Sequence, residues 1–195
     1  MELVTTPRVR FLRAVADVVL ERYGRGRMIV AVTGPAGAEA SRFADDLRDV
    51  LAERDHTVFR AHLDDFHRSR EAQSAFGPDT PERYVRYGFD ESALLRSLVE
   101  PFRMGGSAAF VTRVLDAARD AWVEPKWITG PEDAILVIDG RFLLRDRLAR
   151  LWDYRIAIDG EPTDPADVIA YAERDPRTVA DLVLDLSDPG HPRAV

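Results

Sequence analysis

Two short stretches, 28–33 and 134–138, are almost wholly apolar and are bounded by turn-forming residues. A strand with one face in water alternates polar and apolar positions, so an unbroken apolar run of this length suits a strand covered on both faces, as in a parallel sheet. At about five residues, 134–138 marks the upper limit of uninterrupted apolar sequence here, against the ~20 that a spanning helix needs. Nothing in the sequence is expected to cross a membrane. Before the first run, residues 7–23 place Val9, Leu12, Val15, Ala16, Val19, Leu20 and Tyr23 at three- and four-residue spacing, the mark of an amphipathic helix, which Gly24 and Gly26 stop. After it, residues 41–54 have helical spacing through Phe43, Leu47, Val50 and Leu51, and 57–63 reads as a second strand. Strand, helix, strand is a βαβ unit.

The alternation continues. Residues 69–88, with Gly77, Pro78 and Pro81, read as a long loop, and 91–102 as a helix. Strands are expected at 108–115, 121–129, 134–138, 154–158 and 181–186, with helices at 143–151 and 165–174. Such an order predicts a three-layer α/β/α fold with a parallel central sheet. The length fits one domain over 1–195, with an N-terminal helix within 1–26 packed on it, and 46% apolar residues supply its core. With 27 basic against 34 acidic residues, a net charge of −7, no basic field exists to collect phosphate backbones, so nucleic acid is not an expected partner. The N-terminus lacks the basic and apolar regions of a secretory signal and cysteine is absent, which leads to a cytoplasmic expectation. The four histidines show no metal-ligand spacing, and neither a Gly-x-Ser-x-Gly elbow nor a Gly-x-Gly-x-x-Gly turn occurs.

After the first strand, Gly34-Pro35-Ala36-Gly37-Ala38-Glu39-Ala40-Ser41 leads into a helix, the place of a Walker A loop. Gly34 and Ser41 hold its ends at the right spacing, but Glu39 stands where the second glycine belongs and Ala40 where the lysine belongs. Lys126 is the one lysine of the chain. A carboxylate near a phosphate adds repulsion of up to about 4 kcal/mol at ~4 Å with an effective dielectric of 20. Arg42 follows on the helix, where one position turns a side chain about 100° away. Two readings stay open for the loop: a nucleotide site, or a strand-to-helix turn kept for folding.

At this point the chain resembles the uridine kinase-like members of the P-loop kinases. The likeness rests on the N-terminal helix, Gly34-Pro35-x-Gly37 with Ser41, Leu63-Asp64-Asp65-Phe66-His67, Pro81-Glu82-Arg83-Tyr84-Val85-Arg86-Tyr87-Gly88-Phe89-Asp90, Ile138-Asp139-Gly140, and Asp185-Leu186-Ser187-Asp188-Pro189-Gly190-His191-Pro192. The resemblance implies transfer of the ATP γ-phosphate to a hydroxyl of a nucleoside or similar small molecule, with Mg²⁺. It implies that Gly34, Pro35, Gly37 and Ser41 face the nucleotide, that Ser41 and Asp139 stand near the magnesium, and that Asp64 is the general base, a role that needs a carboxylate within reach of the hydroxyl. Asp65, His67, Tyr84, Arg86, Phe89 and Asp90 fall on the acceptor segment by the same likeness. The resemblance also implies an arginine-bearing lid before the final strand, of which Arg174 is the one arginine in 159–175, so that the lid reads as shortened.

The residues themselves also allow plainer roles. Asp64 and Asp65 can solvate a strand end, the aromatic rings can anchor a loop, and Asp139-Gly140 can be an ordinary turn. Losing a charged hydrogen bond costs about 1.5 to 3 kcal/mol, so absence of the lysine, the loop glycine and the lid charges predicts weak or absent turnover. The alternative is a non-catalytic binding or regulatory module. A homodimer is a third expectation, with Trp122 and Trp127 as the residues to inspect.

Overall fold

The computed structural model describes residues 3–23, 26–37 and 39–195. Gly24 and Ala38 lie outside the described residues. Helix α1 (Pro7–Glu21) opens with Pro7 behind Thr6, whose hydroxyl accepts from the Val9 N–H at 3.2 Å, and buries Leu12, Val15, Ala16 and Val19. Strand β1 (Met28–Thr33) is buried along its whole length. Helix α2 (Ala40–Ala52) and strand β2 (Val58–His62) complete the first unit.

With β5 (Ile135–Asp139), β6 (Tyr154–Ile158), β7 (Leu182–Asp185) and β8 (Arg193–Ala194), these strands form a six-stranded sheet of order β2-β5-β1-β6-β7-β8. Every pairing is parallel except β7 with β8, an antiparallel edge that sequence spacing did not mark. The apolar runs divide by parity, as successive side chains of a strand point to opposite faces. Met28, Val30, Val32, Ile135 and Val137 pack with α1 and α2, while Ile29, Ala31, Leu136 and Ile138 face the second core containing Leu98, Phe102 and Phe110. The C-terminal ends of β1, β2, β5 and β6 therefore converge on one edge, where open α/β sheets bind ligands.

Five expectations need correction. Residues 69–88 are not a plain loop, because they hold helices α3 (Arg70–Ser74) and α4 (Pro81–Tyr87). The Thr80 hydroxyl accepts from the Arg83 N–H, and Pro81, read as a breaker, occupies a first-turn position where a missing N–H costs nothing. The helix expected at 91–102 runs as α5 (Glu91–Leu94), a π-helical turn Leu95–Val99 and α6 (Glu100–Met104). Pro101 cannot serve the Ser97 carbonyl, which accepts instead from the Val111 N–H at 2.8 Å.

In place of strands at 108–115 and 121–129 there are β3 (Leu115–Asp116) and β4 (Ala121–Trp122), paired antiparallel with each other, and a single bridge that joins Phe110 to Ile128. The helix expected at 143–151 is a series of turns ending in a 3₁₀ turn, Ala149–Leu151. Phe142 has φ +67°, and the Trp152 indole N–H donates to the Leu143 carbonyl at 2.7 Å, so the ladder is not built although Leu143, Leu144 and Leu148 are buried. Helix α7 (Pro165–Glu173) forms as expected behind the Asp164 cap. No helix among the described residues is long and apolar enough to cross a membrane.

Candidate functional site

The loop after β1 is fixed from several sides. Thr33 Oγ1 donates to the Gly140 carbonyl at 2.8 Å, and the Gly140 N–H donates to Val32, locking the ends of β1 and β5 together. A Cβ on Gly140 would collide with Leu63, so glycine is required there. Gly34 and Pro35 are buried, while Gly37, at φ +78°, makes the left-handed turn that leads to α2. Glu39 precedes α2 without capping it and pairs with Arg42 at 3.4 Å. Ser41 is exposed.

The Ala36 N–H donates to Asp167 Oδ2 at 2.6 Å. Asp167 lies on the first turn of α7, and its side chain is only 1% exposed. Its other oxygen accepts from Arg141 Nε at 2.9 Å, and Arg141 Nη2 reaches Asp164 Oδ1 at 2.5 Å. Thus the loop amide is satisfied by a buried carboxylate from the same chain. Arg141 is half-buried: burial alone would weaken its hold on the proton, yet the bonds from Asp164 and Asp167 raise its pKa further above the ordinary arginine value.

Asp139, at the end of β5, is likewise engaged. The register sets it beside His62 of β2, and it accepts from His62 Nδ1 and Arg60 Nη2, both at 2.7 Å. Arg60 also reaches Asp45 of α2 at 2.9 Å. Burial pushes the Asp139 carboxyl up, but its bonds to His62 and Arg60 outweigh this and hold it below the usual aspartate value, while the bond to Asp139 raises His62.

Asp64 and Asp65 share the 3₁₀ turn Leu63–Phe66 that follows β2, and their surroundings differ. The Asp64 side chain is 68% exposed, with Oδ1 at 4.0 Å from His67 Nε2. Asp65 pairs with Arg113 Nε at 2.8 Å, and its burial raises its pKa against the opposing charge of Arg113. His67 Nε2 lies 3.1 Å from Tyr84 Oη, and its ring meets Phe89 edge-on at 4.4 Å between centroids. Burial lowers the His67 pKa and pushes the Tyr84 hydroxyl up to about 12, so both are neutral at pH 7 and fit to exchange neutral hydrogen bonds.

His67 and Tyr84 line a cavity of about 480 Å³ with Arg68, Arg70, Gln73, Asp79, Arg83 and Asp120. A neighbouring cavity of about 410 Å³ also borders Tyr84 and is lined by Thr80, Arg141 and Asp164. Of the residues expected on the acceptor side, the fold brings together His67 and Tyr84, with Phe89 buried behind them. Asp90 caps α5 through the Ala93 N–H at 3.0 Å. Arg86 stands exposed, 3.9 Å from Glu173, and Arg174 pairs with Asp146. Arg60, His62, Arg113, Arg141, Asp164 and Asp167 were not singled out from the sequence. The parity of β2 places Arg60 and His62 on one face, a signal that was available, whereas nothing local links 36 with 167.

No known family pattern matches the sequence, and no curated protein matches it. Solved structures do match. A possible uridine kinase from Bacillus stearothermophilus superposes with a TM-score of 0.77 at 19% identity, over 90% of this chain and 96% of that one. The two share one fold, a three-layer α/β/α arrangement around a largely parallel sheet. A candidate fructose transport system kinase from Silicibacter sp. TM1040 gives 0.68 at 22% identity, over 88% of this chain and 98% of that one. A D-glycerate 3-kinase from Cryptococcus neoformans var. grubii gives 0.53 at 16%, over 84% and 77%. On the fold that these structures share with this chain, the residues of the loop do not fit a magnesium triphosphate. Glu39 and Ala40 supply no cation, the Ala36 amide is taken by Asp167, and Asp139 is held by an arginine and a histidine.

Proposed function

We propose that this chain is a small-molecule-binding member of the P-loop kinase-like fold, with its ligand in the His67–Tyr84 cavity and with Mg-ATP binding and turnover weak or absent. The observation that carries this reading is the Asp167 carboxylate bonded to the Ala36 N–H, where an anionic ligand of the loop would otherwise be received. The cavity supports a polar ligand of nucleoside or sugar size, since its volume of about 480 Å³ lies in the range of small-molecule sites. Its two neutral ring partners can exchange hydrogen bonds with hydroxyl groups, and its arginines can take a negative substituent.

Calorimetric titration tests the reading. Mg-ATP is expected to give no saturable heat at millimolar concentration, while a panel of nucleosides and sugar phosphates is expected to contain a ligand whose binding His67→Ala weakens at least about tenfold. Micromolar Mg-ATP binding with phosphate transfer would overturn it and restore the kinase reading, with the exposed Asp64 as the base. A panel without any ligand would overturn the assignment of the cavity.

A further inference from the structure

Asp167 is an unusual group to find beside a phosphate-type loop. It is an acid, its side chain is almost wholly buried, and both its oxygens are occupied by donors from separate elements. One donor is a backbone N–H of the loop and the other is the Nε of Arg141. An arginine N–H and a backbone N–H converging on one anionic group is how proteins hold phosphates and carboxylates. Arg141 is joined to this loop through Asp167, which accepts from both the Ala36 N–H and Arg141 Nε. Its side chain is 23% exposed, and it borders the 410 Å³ cavity, so solute has a route to the guanidinium.

We propose that Asp167 is a built-in ligand of the loop: it occupies an anion site formed by the Ala36 amide and Arg141, and an external phosphate group binds there only when that carboxylate leaves or is removed. The inference rests on the reading that the loop holds no Mg-ATP, and it states the cause. The charges agree in sign. Arg141 carries one positive charge, and it is flanked by two carboxylates, Asp167 at 2.9 Å and Asp164 at 2.5 Å. A phosphate approaching this trio meets a net negative charge. Removing Asp167 leaves one carboxylate opposite the guanidinium and frees the amide, while Asp164 still orients Arg141 and caps α7.

The contact also reaches the neighbouring cavity. Arg141 lies over the Tyr84 ring at 5.6 Å and over the Phe142 ring at 4.9 Å. Any movement of Arg141 to follow a new anion therefore changes the packing of a residue that lines the proposed ligand cavity.

The experiment titrates inorganic pyrophosphate into the wild-type protein, Asp167→Ala, Asp167→Asn, and Asp167→Ala with Arg141→Ala, with melting temperature and circular dichroism recorded for each. The wild type is expected to bind no tighter than about 10 mM, and Asp167→Ala at least about tenfold tighter, with the gain lost when Arg141 is also removed. Asp167→Asn keeps the volume and one acceptor for the loop but not the charge, so a smaller gain is expected, and this variant decides if the alanine form does not fold. A folded Asp167 variant that binds pyrophosphate no better than wild type overturns the proposal. So does a gain that survives loss of Arg141. Mg-ATP and the panel of nucleosides and sugar phosphates are titrated into the same samples, so failure of the loop and cavity readings is seen separately from failure of the built-in ligand.

Discussion

His62 and Asp139 face each other across adjacent parallel strands, and each shifts the proton equilibrium of the other. Because the folded pKa of His62 is raised above 6.5, its contribution to stability is complete below that pH and is lost as pH rises through the folded value. For Asp139 the sign reverses: its folded pKa is lowered from 3.8, so its contribution is present above 3.8 and is lost as pH falls through the folded value. Thermal melts of the wild type are therefore expected to decline from pH 6.5 upward, with the decline flattened in His62→Gln. Equal slopes in the two proteins would show that the pair does not control stability in this window. The same pair explains why an acid at a strand end, followed by glycine, was open to several readings in the sequence. The chemistry of Asp139 is decided by Arg60 and His62, which lie more than seventy positions earlier and meet it only through sheet register.

Elements are legible where one physical signal dominates. Apolar runs gave away β1 and β5, and three- and four-residue spacing gave away α1 and α2, because burial against a neighbouring layer leaves that pattern directly in the chain, while α7 was placed by the alternation of strands and helices. Where two signals conflict, the spacing misleads. Residues 143–151 have buried leucines at helical intervals, but positive φ at Phe142 and the Trp152 indole divert the backbone into turns. Between 69 and 88 the error is opposite, since Pro81 opens α4 instead of breaking it. Thr80 is the residue that makes this start possible. Thr80→Ala is expected to cost about 1 kcal/mol of unfolding free energy through the lost cap, as read by urea denaturation. Because Thr80 and Tyr84 both border the 410 Å³ cavity, the same variant is expected to weaken ligand binding in the adjoining site by loosening α4. Unchanged stability would mean that packing against α7, not the cap, holds α4.

At the scale of the whole molecule, the parallel sheet brings four strand ends to one edge, and the contacts made there depend on pairs that are remote in sequence. Ala36 and Asp167 are 131 positions apart, so no motif could have revealed that the loop already has an anionic partner. This changes what repairing the loop can achieve. Glu39 has φ −70° and ψ 20°, a conformation open to any residue, so Glu39→Gly acts by removing charge and not by relieving the backbone. Ala40→Lys adds the cation, but the Ala36 amide stays bonded to Asp167. The double variant Glu39→Gly with Ala40→Lys is therefore expected to gain less than about tenfold in Mg-ATP affinity by calorimetry, and addition of Asp167→Ala to gain at least about tenfold more. If the double variant alone reaches the affinity of the triple variant, the missing lysine and glycine are sufficient cause of a silent loop. The carboxylate would then be a structural anchor between the loop after β1 and helix α7.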